Sequence, residues 1–371
     1  FICPRNPFSE RYSGDVIRAK KTIYFLSKNH YVKVISSDFK NSQKKESKLS
    51  YEGFKEISLF SKIFYIFFSF IKLRPIQLGY FFSPKIKEYV QNNFQDYDLI
   101  FFQSFRTAQY MPEGNNKTCI LDMGDLMSKN YKQTSVRYFF FNPIRIIYYI
   151  ESLLVKRYES FCFKKFTKIL LHSKIEMDSV EKKFKGKLAQ FSFGVTNINK
   201  KYSFHQKNFK IIFIGNIKYA PNKKACYEFA NKILPLINEI YPNIEFHIIG
   251  EISKIDKFFL KRKPNVKVLN KVKNLKPYLG KTICGIANLR IATGIQTKLL
   301  TYMSYGIPSV CSQQVAENFD AIKESKISFY KNNKEMIKII LKLKRNKNFS
   351  LSASKRAFKT IKKFKWEKVL P

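Results

Sequence analysis

Residues 283–312 constrain the fold more than any other part of the chain. An apolar run over 283–288 is followed by a polar loop carrying Gly294. A helical pattern then covers 295–305, Gly306 stops it, and a second apolar run starts at Ile307. Ile295, Leu299 and Met303 share one helical face. Two strands joined through a helix belong to a parallel sheet covered by helices. A helix that starts straight after a glycine loop has unpaired amides in its first turn, and its dipole adds positive potential there. Lys298 adds a full charge at the same end. Such an end suits a diphosphate; the plainer alternative is a strand-to-helix turn with a solvated lysine.

The same alternation runs through the chain. In the first half, strands are expected at 1–3, 31–36, 98–102, 118–122 and 167–172. Helices are expected at 14–29, 84–94, 143–164 and 174–184, and the polar stretch 40–50 reads as a solvated loop. Residues 1–3 look like the end of a strand whose beginning is missing. A polar linker falls at 194–208. In the second half, strands are expected at 210–214, 244–249, 266–269, 283–288, 307–312 and 327–329, with helices at 223–241 and 332–344. The basic segment 350–370 reads as helical. The fold class is therefore α/β: two Rossmann-like, doubly wound domains, 1–195 and 209–348, facing across a cleft at the carboxyl ends of their strands. Residues 349–371 form a terminal helix.

Composition narrows the partners. The 371 residues carry a formal net charge of +42, enough to draw phosphates, nucleotides, an anionic membrane surface or nucleic acid. A richness in Lys, Asn, Ile, Phe and Tyr is also what an AT-rich coding sequence produces. No nucleic-acid-reading motif is present, and the basic residues are spread out, so nucleic acid is not an expected partner. Six scattered cysteines form no Cys-x-x-Cys pair and read as buried free thiols of a reducing cytoplasm. The four histidines are dispersed, which speaks against zinc. No signal-peptide pattern opens the sequence, and no run reaches the ~18 apolar residues of a membrane span. The aromatic, base-flanked stretch 58–74 fits either a helix in the groove of the first domain or one lying in a membrane interface; 138–165 has the same character.

Four blocks, in order, resemble retaining glycosyltransferases of the GT-B fold, family 4. Gly294, Gln296, Thr297, Lys298, Met303, Gly306, Pro308 and Val310 match its donor-nucleotide segment. Residues 213–222 match the first strand and turn of its nucleotide domain. Residues 6–18 resemble the glycine loop of its acceptor domain, and 121–125 resemble an Asp-containing turn after a central strand. The terminal helix of that family returns to the first domain, and Trp366 resembles a residue in it. The chain departs from the pattern where the family often has two glutamates: Thr293 and Thr301 stand there. The second glutamate normally holds the ribose, and an uncharged threonine would bind it more weakly by ~1 kcal/mol. Asn216 stands where many members place an arginine; Lys218 or Arg290 would have to supply that charge.

The resemblance implies transfer of a sugar from a nucleoside diphosphate donor to a glycan or lipid-linked acceptor in surface polysaccharide synthesis. It implies retention, a cytoplasmic or peripheral inner-membrane location, and no metal cofactor. The expected substrate-binding residues are Gly14, Arg18, Gly215, Asn216, Lys218, Asn222, Gly294, Ile295, Gln296, Thr297 and Thr301. Asn222 also reads as a helix cap after Pro221. The expected catalytic residues are Lys298 and Arg290, which meet the charge of the leaving diphosphate, and Asp125, which orients or deprotonates the acceptor hydroxyl. Asp122 and Asp125 could instead hold Mg²⁺ or cap a helix. With both glutamate positions changed, a catalytically inactive binding or scaffold protein of the same fold is the other reading.

Overall fold

The computed structural model describes residues 1–9, 13–38, 43–136, 142–196, 198–292, 294–325 and 327–370. The chain divides into two compact units, Phe1–Ser192 with the last two residues, and Phe193–Val369.

The first unit has strands β1 (Ile2–Cys3), β2 (Val32–Asp38), β3 (Gln43–Glu46), β4 (Leu49–Lys55), β5 (Leu99–Gln103), β6 (Thr118–Gly124), β7 (Lys168–Leu171) and β8 (Leu188–Gln190). They form one sheet in the order β3-β4-β2-β1-β5-β6-β7-β8. Among the described strands only β3 runs antiparallel to its neighbour. The strand order reverses between β1 and β5, so the carboxyl ends of those two strands flank the natural ligand crevice of this sheet. The core is aliphatic and aromatic, with Ile35, Phe102, Leu121, Phe166, Ile169 and Leu171 buried in the sheet region. The expectation of a loop over 40–50 is corrected: 43–46 and 49–55 make an edge hairpin, while 40–42 lie outside the described residues. Its lysines hide the strand in sequence, yet Leu49 and Tyr51 are buried and the charged β3 guards the sheet edge. The helix expected at 174–184 is only Lys174–Asp178, followed by a 3-10 turn at Lys182–Lys187.

The second unit has strands β9 (Lys210–Ile214), β10 (Glu245–Ile249), β11 (Val266–Leu269), β12 (Thr282–Ala287), β13 (Ser309–Ser312) and β14 (Ser328–Tyr330). All pair in parallel in the order β11-β10-β9-β12-β13-β14. This is the six-stranded doubly wound order of a Rossmann-like sheet, with its reversal between β9 and β12. The helix expected at 223–241 is interrupted. It starts earlier, at Ala220–Glu228, widens into a π turn at Phe229–Ile233, and resumes at Leu234–Asn238. Pro235 has no amide to donate, and the wider turn absorbs the missing bond. The basic C-terminal segment is the helix Lys347–Thr360, a 3-10 turn and the short helix Trp366–Val369. Trp366 packs on Phe193, and a Cβ at Gly194 would lie 2.5 Å from its ring. All six cysteines are free and buried.

Candidate functional site

The second unit gathers most of the expected residues at its reversal point. Two loops meet there: 215–219 after β9 and 288–296 after β12. Adjacent strands β9 and β10 both end in Ile-Gly. At φ +150°, Gly250 brings its backbone so close that a Cβ would sit 1.8 Å from the carbonyl oxygen of Gly215. Any side chain at 250 would break this approach, and the sequence reading passed over that glycine.

The helix after β12 is Thr297–Ser304, two residues shorter at its start than expected. Gln296 is its N-cap and gives no side-chain hydrogen bond to the first turn. Gly294 has φ +66°, a left-handed conformation that glycine adopts without strain. Ile295 is buried, Gln296 half-buried and Thr297 exposed. Thr301 donates its hydroxyl to the carbonyl of Thr297 at 3.0 Å, while Thr293 lies outside the described residues. Tyr302 fixes the helix over the sheet. Its hydroxyl accepts from the amide of Ile214 at 2.9 Å and donates to the carbonyl of Ile286 at 3.0 Å. A Cβ at Gly285 would lie 2.5 Å from the Tyr302 ring, so the small residue in β12 makes room for the large one in the helix.

Lys298 corrects the sequence reading. Its side chain is 6% exposed and turns inward. The Nζ donates to Oδ1 of Asn222 at 2.7 Å and sits 4.4 Å from the centroid of the Phe213 ring. Burial brings its pKa down to about 7. A position one residue into the helix faces the core here, because Tyr302, one turn further on the same side, is buried too. Asn222 is no helix cap either: Tyr219 is the N-cap and Asn222 lies inside the first turn. Its Nδ2 donates to the carbonyl of Asn216 at 2.8 Å. Asn222 thus ties the loop 215–219, through its amide nitrogen, to the first turn of the helix Thr297–Ser304, through its oxygen.

The two cations expected to replace the family arginine are engaged elsewhere. Lys218 pairs with Glu251 at 2.7 Å. Arg290 donates through Nε to Glu228 at 2.9 Å and makes a second contact through its NH2, so the bidentate pair raises its pKa further.

In the first unit, Gly14 opens the helix Gly14–Leu26, with Ser13 as N-cap. Arg18 is not available to a ligand. Its guanidinium is buried, bonds Asp122 through Nε and NH2 at 2.6 and 2.8 Å, and reaches the carbonyls of Phe191 and Ser192. Its Cζ lies 3.5 Å from the centroid of the Phe191 ring. Arg18 and Asp122 are therefore an internal clamp between the first helix, β6 and the end of the unit.

Asp125 stands apart from Asp122 and meets a partner that sequence reasoning missed. Its Oδ1 lies 2.7 Å from Nδ1 of His172, at the end of β7. The ring lies against Gly124, whose φ is +76° and whose Cβ, if present, would be 3.2 Å from Cε1. Nε2 of His172 is buried with no hydrogen-bond partner among the described residues. Glu176 completes the cluster, accepting from the amide of Leu126 at 2.8 Å. Burial, and then the Asp125 charge, push its pKa up to about 8. A carboxylate on Nδ1 leaves the other imidazole nitrogen to accept or donate a proton. The signal was weak: a single His at a strand end, 47 residues from its partner.

Three comparisons place this geometry. Residues 208–346 match the family described as Glycosyl transferases group 1, so the second unit contains a domain of that group. Sucrose-phosphate synthase from Thermosynechococcus elongatus superposes with a TM-score of 0.72 at 10% identity, covering 100% of this chain and 95% of that one. A trehalose-phosphate synthase (UDP-forming) from Burkholderia vietnamiensis gives 0.67 at 8% identity, covering 99% and 94%. TarM gives 0.57 at 14% identity over 77% of this chain, which spans 56% of TarM's length. No curated protein matches the chain in sequence. The architecture is that of GT-B glycosyltransferases.

Proposed function

We propose that the protein is a retaining glycosyltransferase of family 4. It takes a sugar from a nucleoside diphosphate donor and places it on a glycan or lipid-linked acceptor in surface polysaccharide synthesis, at the cytoplasmic face. The observation that carries the reading is the uncapped helix Thr297–Ser304 behind Gly294, at the reversal point of a group 1 domain. In the proposed mechanism the first-turn amides, with Gln296 and Thr297, hold the diphosphate and stabilise the charge that develops on it as the glycosidic bond breaks. Lys298 acts indirectly, holding Asn222 and through it the loop 215–219. On the acceptor side, Asp125 orients His172, whose Nε2, buried in the unliganded protein, handles the hydroxyl proton once acceptor binding uncovers it. Turnover is expected without added metal, since Asp122 and Asp125 are each committed to a different cation or imidazole.

Calorimetric titration with UDP, GDP and ADP sugars tests the reading, followed by turnover with the donor that binds. The expected result is micromolar binding of one nucleotide class, and the UDP-forming relative makes UDP the first choice. No binding and no turnover of any donor would leave the inactive scaffold in its place.

The first unit also presents a surface suited to an anionic bilayer. The helix Leu59–Ile71 buries only Ser69, with Phe60 83% and Phe67 64% exposed. Ile146, Ile147, Tyr149 and Leu153 are exposed on the helix Pro143–Lys165. A groove of about 1060 Å³ between the two helices is lined in part by Lys72, Arg74, Arg157 and Lys165. The first helix has no acidic residue, and both glutamates of the second, Glu151 and Glu159, are buried. Aromatic side chains beside lysines and arginines that outnumber the one glutamate lining the groove, Glu113, match anionic headgroups over an acyl interior. No helix among the described residues is long and apolar enough to cross a membrane. Phe60→Ser/Phe64→Ser/Phe67→Ser should lower salt-resistant co-sedimentation with anionic vesicles by about tenfold or more. Equal sedimentation of variant and parent would remove the membrane from this picture.

A further inference from the structure

The reversal point of the first sheet holds a feature that neither the donor site nor the Asp125 cluster uses. Arg5 follows β1 and Arg106 follows β5, the two strands that flank the crevice. Both guanidinium carbons lie near the Phe81 ring, 5.2 Å and 4.7 Å from its centroid. Arg106 is half-buried and forms no ion pair among the described residues. Its Nε and NH2 share one neutral acceptor, Oε1 of Gln77, at 2.8 and 2.5 Å. Gln77 is oriented for this by a bond from its Nε2 to the hydroxyl of Tyr131. Burial and the charge of Arg5 lower the Arg106 pKa. Arg5 has one carboxylate partner, Asp15, at 2.6 Å. Two guanidinium groups therefore face one carboxylate in a crevice, an arrangement that is unfavourable without a further anion. The chain approaches Arg106 through Ser104 at φ +72°, a left-handed conformation that costs a serine ~1 kcal/mol or more. The backbone bends there to aim the segment 104–106.

We propose that Arg106, with Arg5, seats an oxyanion carried by the acceptor, a phosphate or a carboxylate. This rests on the reading of the first unit as the acceptor side. The guanidinium NH1 of Arg106 supplies the first contact, and Arg5 closes on the same group by loosening its bond to Asp15. Planar, fixed donors of this kind favour a tetrahedral or planar oxyanion over a neutral hydroxyl. An acceptor sugar bearing phosphate, or a uronic acid, has the required chemistry.

The test uses the full chain saturated with UDP, so that the donor site is already filled. Inorganic phosphate, a hexose phosphate, glucuronate and neutral glucose are then titrated. The expected result is binding of one anionic class and not of glucose, weakened about tenfold or more by Arg106→Gln and partly restored by Arg106→Lys. Arg5→Gln, at a partly exposed position where folding is less at stake, should weaken the same ligand. Phosphate binding without glucuronate binding points to a phosphorylated acceptor, and the reverse to an acidic sugar. Wild-type anion affinity in both glutamine variants overturns the proposal, as does anion binding that vanishes once UDP is present. UDP affinity is measured in each variant; its survival shows that failure here leaves the donor reading intact.

Discussion

The two units handle buried charge in opposite ways. In the second, Lys298 is a buried cation whose only side-chain acceptor among the described residues is the neutral amide of Asn222. In the first, the carboxylate of Asp125 pairs with the His172 imidazole and the buried carboxyl of Glu176 feels the Asp125 charge. The lysine is drawn toward neutrality and Glu176 toward protonation, because burial favours the uncharged form of each. The contrast separates two jobs. A neutral or half-charged lysine can brace loops without competing with the diphosphate for the helix amides. A carboxylate–imidazole pair is built to move a proton.

The sharpest way to break this division is His172→Asn. The amide can still bond Asp125 but cannot carry a proton at pH 7. Sugar transfer should fall by roughly 100-fold or more, with UDP affinity unchanged. Equal losses in transfer and in UDP affinity would show that His172 belongs to the donor side or only supports the fold.

Lys298→Met is next in size. It keeps the length of the side chain and removes the bond to Asn222, freeing the 215–219 loop. Donor affinity should drop about tenfold. The stability profile gives an independent reading. The lysine titrates near 7 when folded and at its ordinary 10.5 when unfolded. Between those values the unfolded chain binds more protons, so this group makes stability rise with pH through that window. The rise should be missing in the methionine variant, as measured by thermal melts from pH 7 to 10.

Glu176 should impose the opposite slope, and Glu176→Gln should remove it. The folded carboxyl holds its proton up to about 8, against an ordinary 4.5. Between those values the folded chain binds more protons, and stability falls as pH rises. Glutamine keeps an oxygen for the amide of Leu126 and has no proton to lose. The variant should therefore melt higher than the parent at pH 8 and gain less at pH 5. A parent and variant with parallel profiles would place an ionised Glu176 in the native state and dissolve the contrast with Lys298.

The alternation of strands and helices made the two sheets legible, because apolar runs of strand length recur between helical patterns in both halves. The donor segment was legible for a similar reason: Gly294, Gly306 and Pro308 punctuate it locally. What escaped were contacts between distant residues. Lys298 reads as an anion ligand in sequence, and only the packing of Asn222 and Phe213 turns it inward. Arg18 has the same history with Asp122, 104 residues away. His172 and Arg106 carry no local signal, since each acquires meaning from the end of a neighbouring strand. The hairpin at 43–55 was hidden by lysines that an edge strand tolerates.

The smallest expected effect sharpens the donor half of the comparison. Thr301 sits on the outer part of the helix Thr297–Ser304, bonded back to Thr297. Thr301→Glu restores a carboxylate where glycosyltransferases of this type often hold a ribose. A charge-assisted bond in place of a neutral one is worth ~1 kcal/mol, so UDP affinity should rise about fivefold. The same carboxylate, three residues beyond Lys298 and one turn along the helix, should raise the pKa of that lysine slightly and narrow the pH window over which stability rises. A gain in affinity together with a shorter window would show that the helix binds the nucleotide and that Lys298 senses its outer face. A loss of UDP affinity would mean that the ribose does not reach Thr301, and the diphosphate would then have to approach the helix start from another direction.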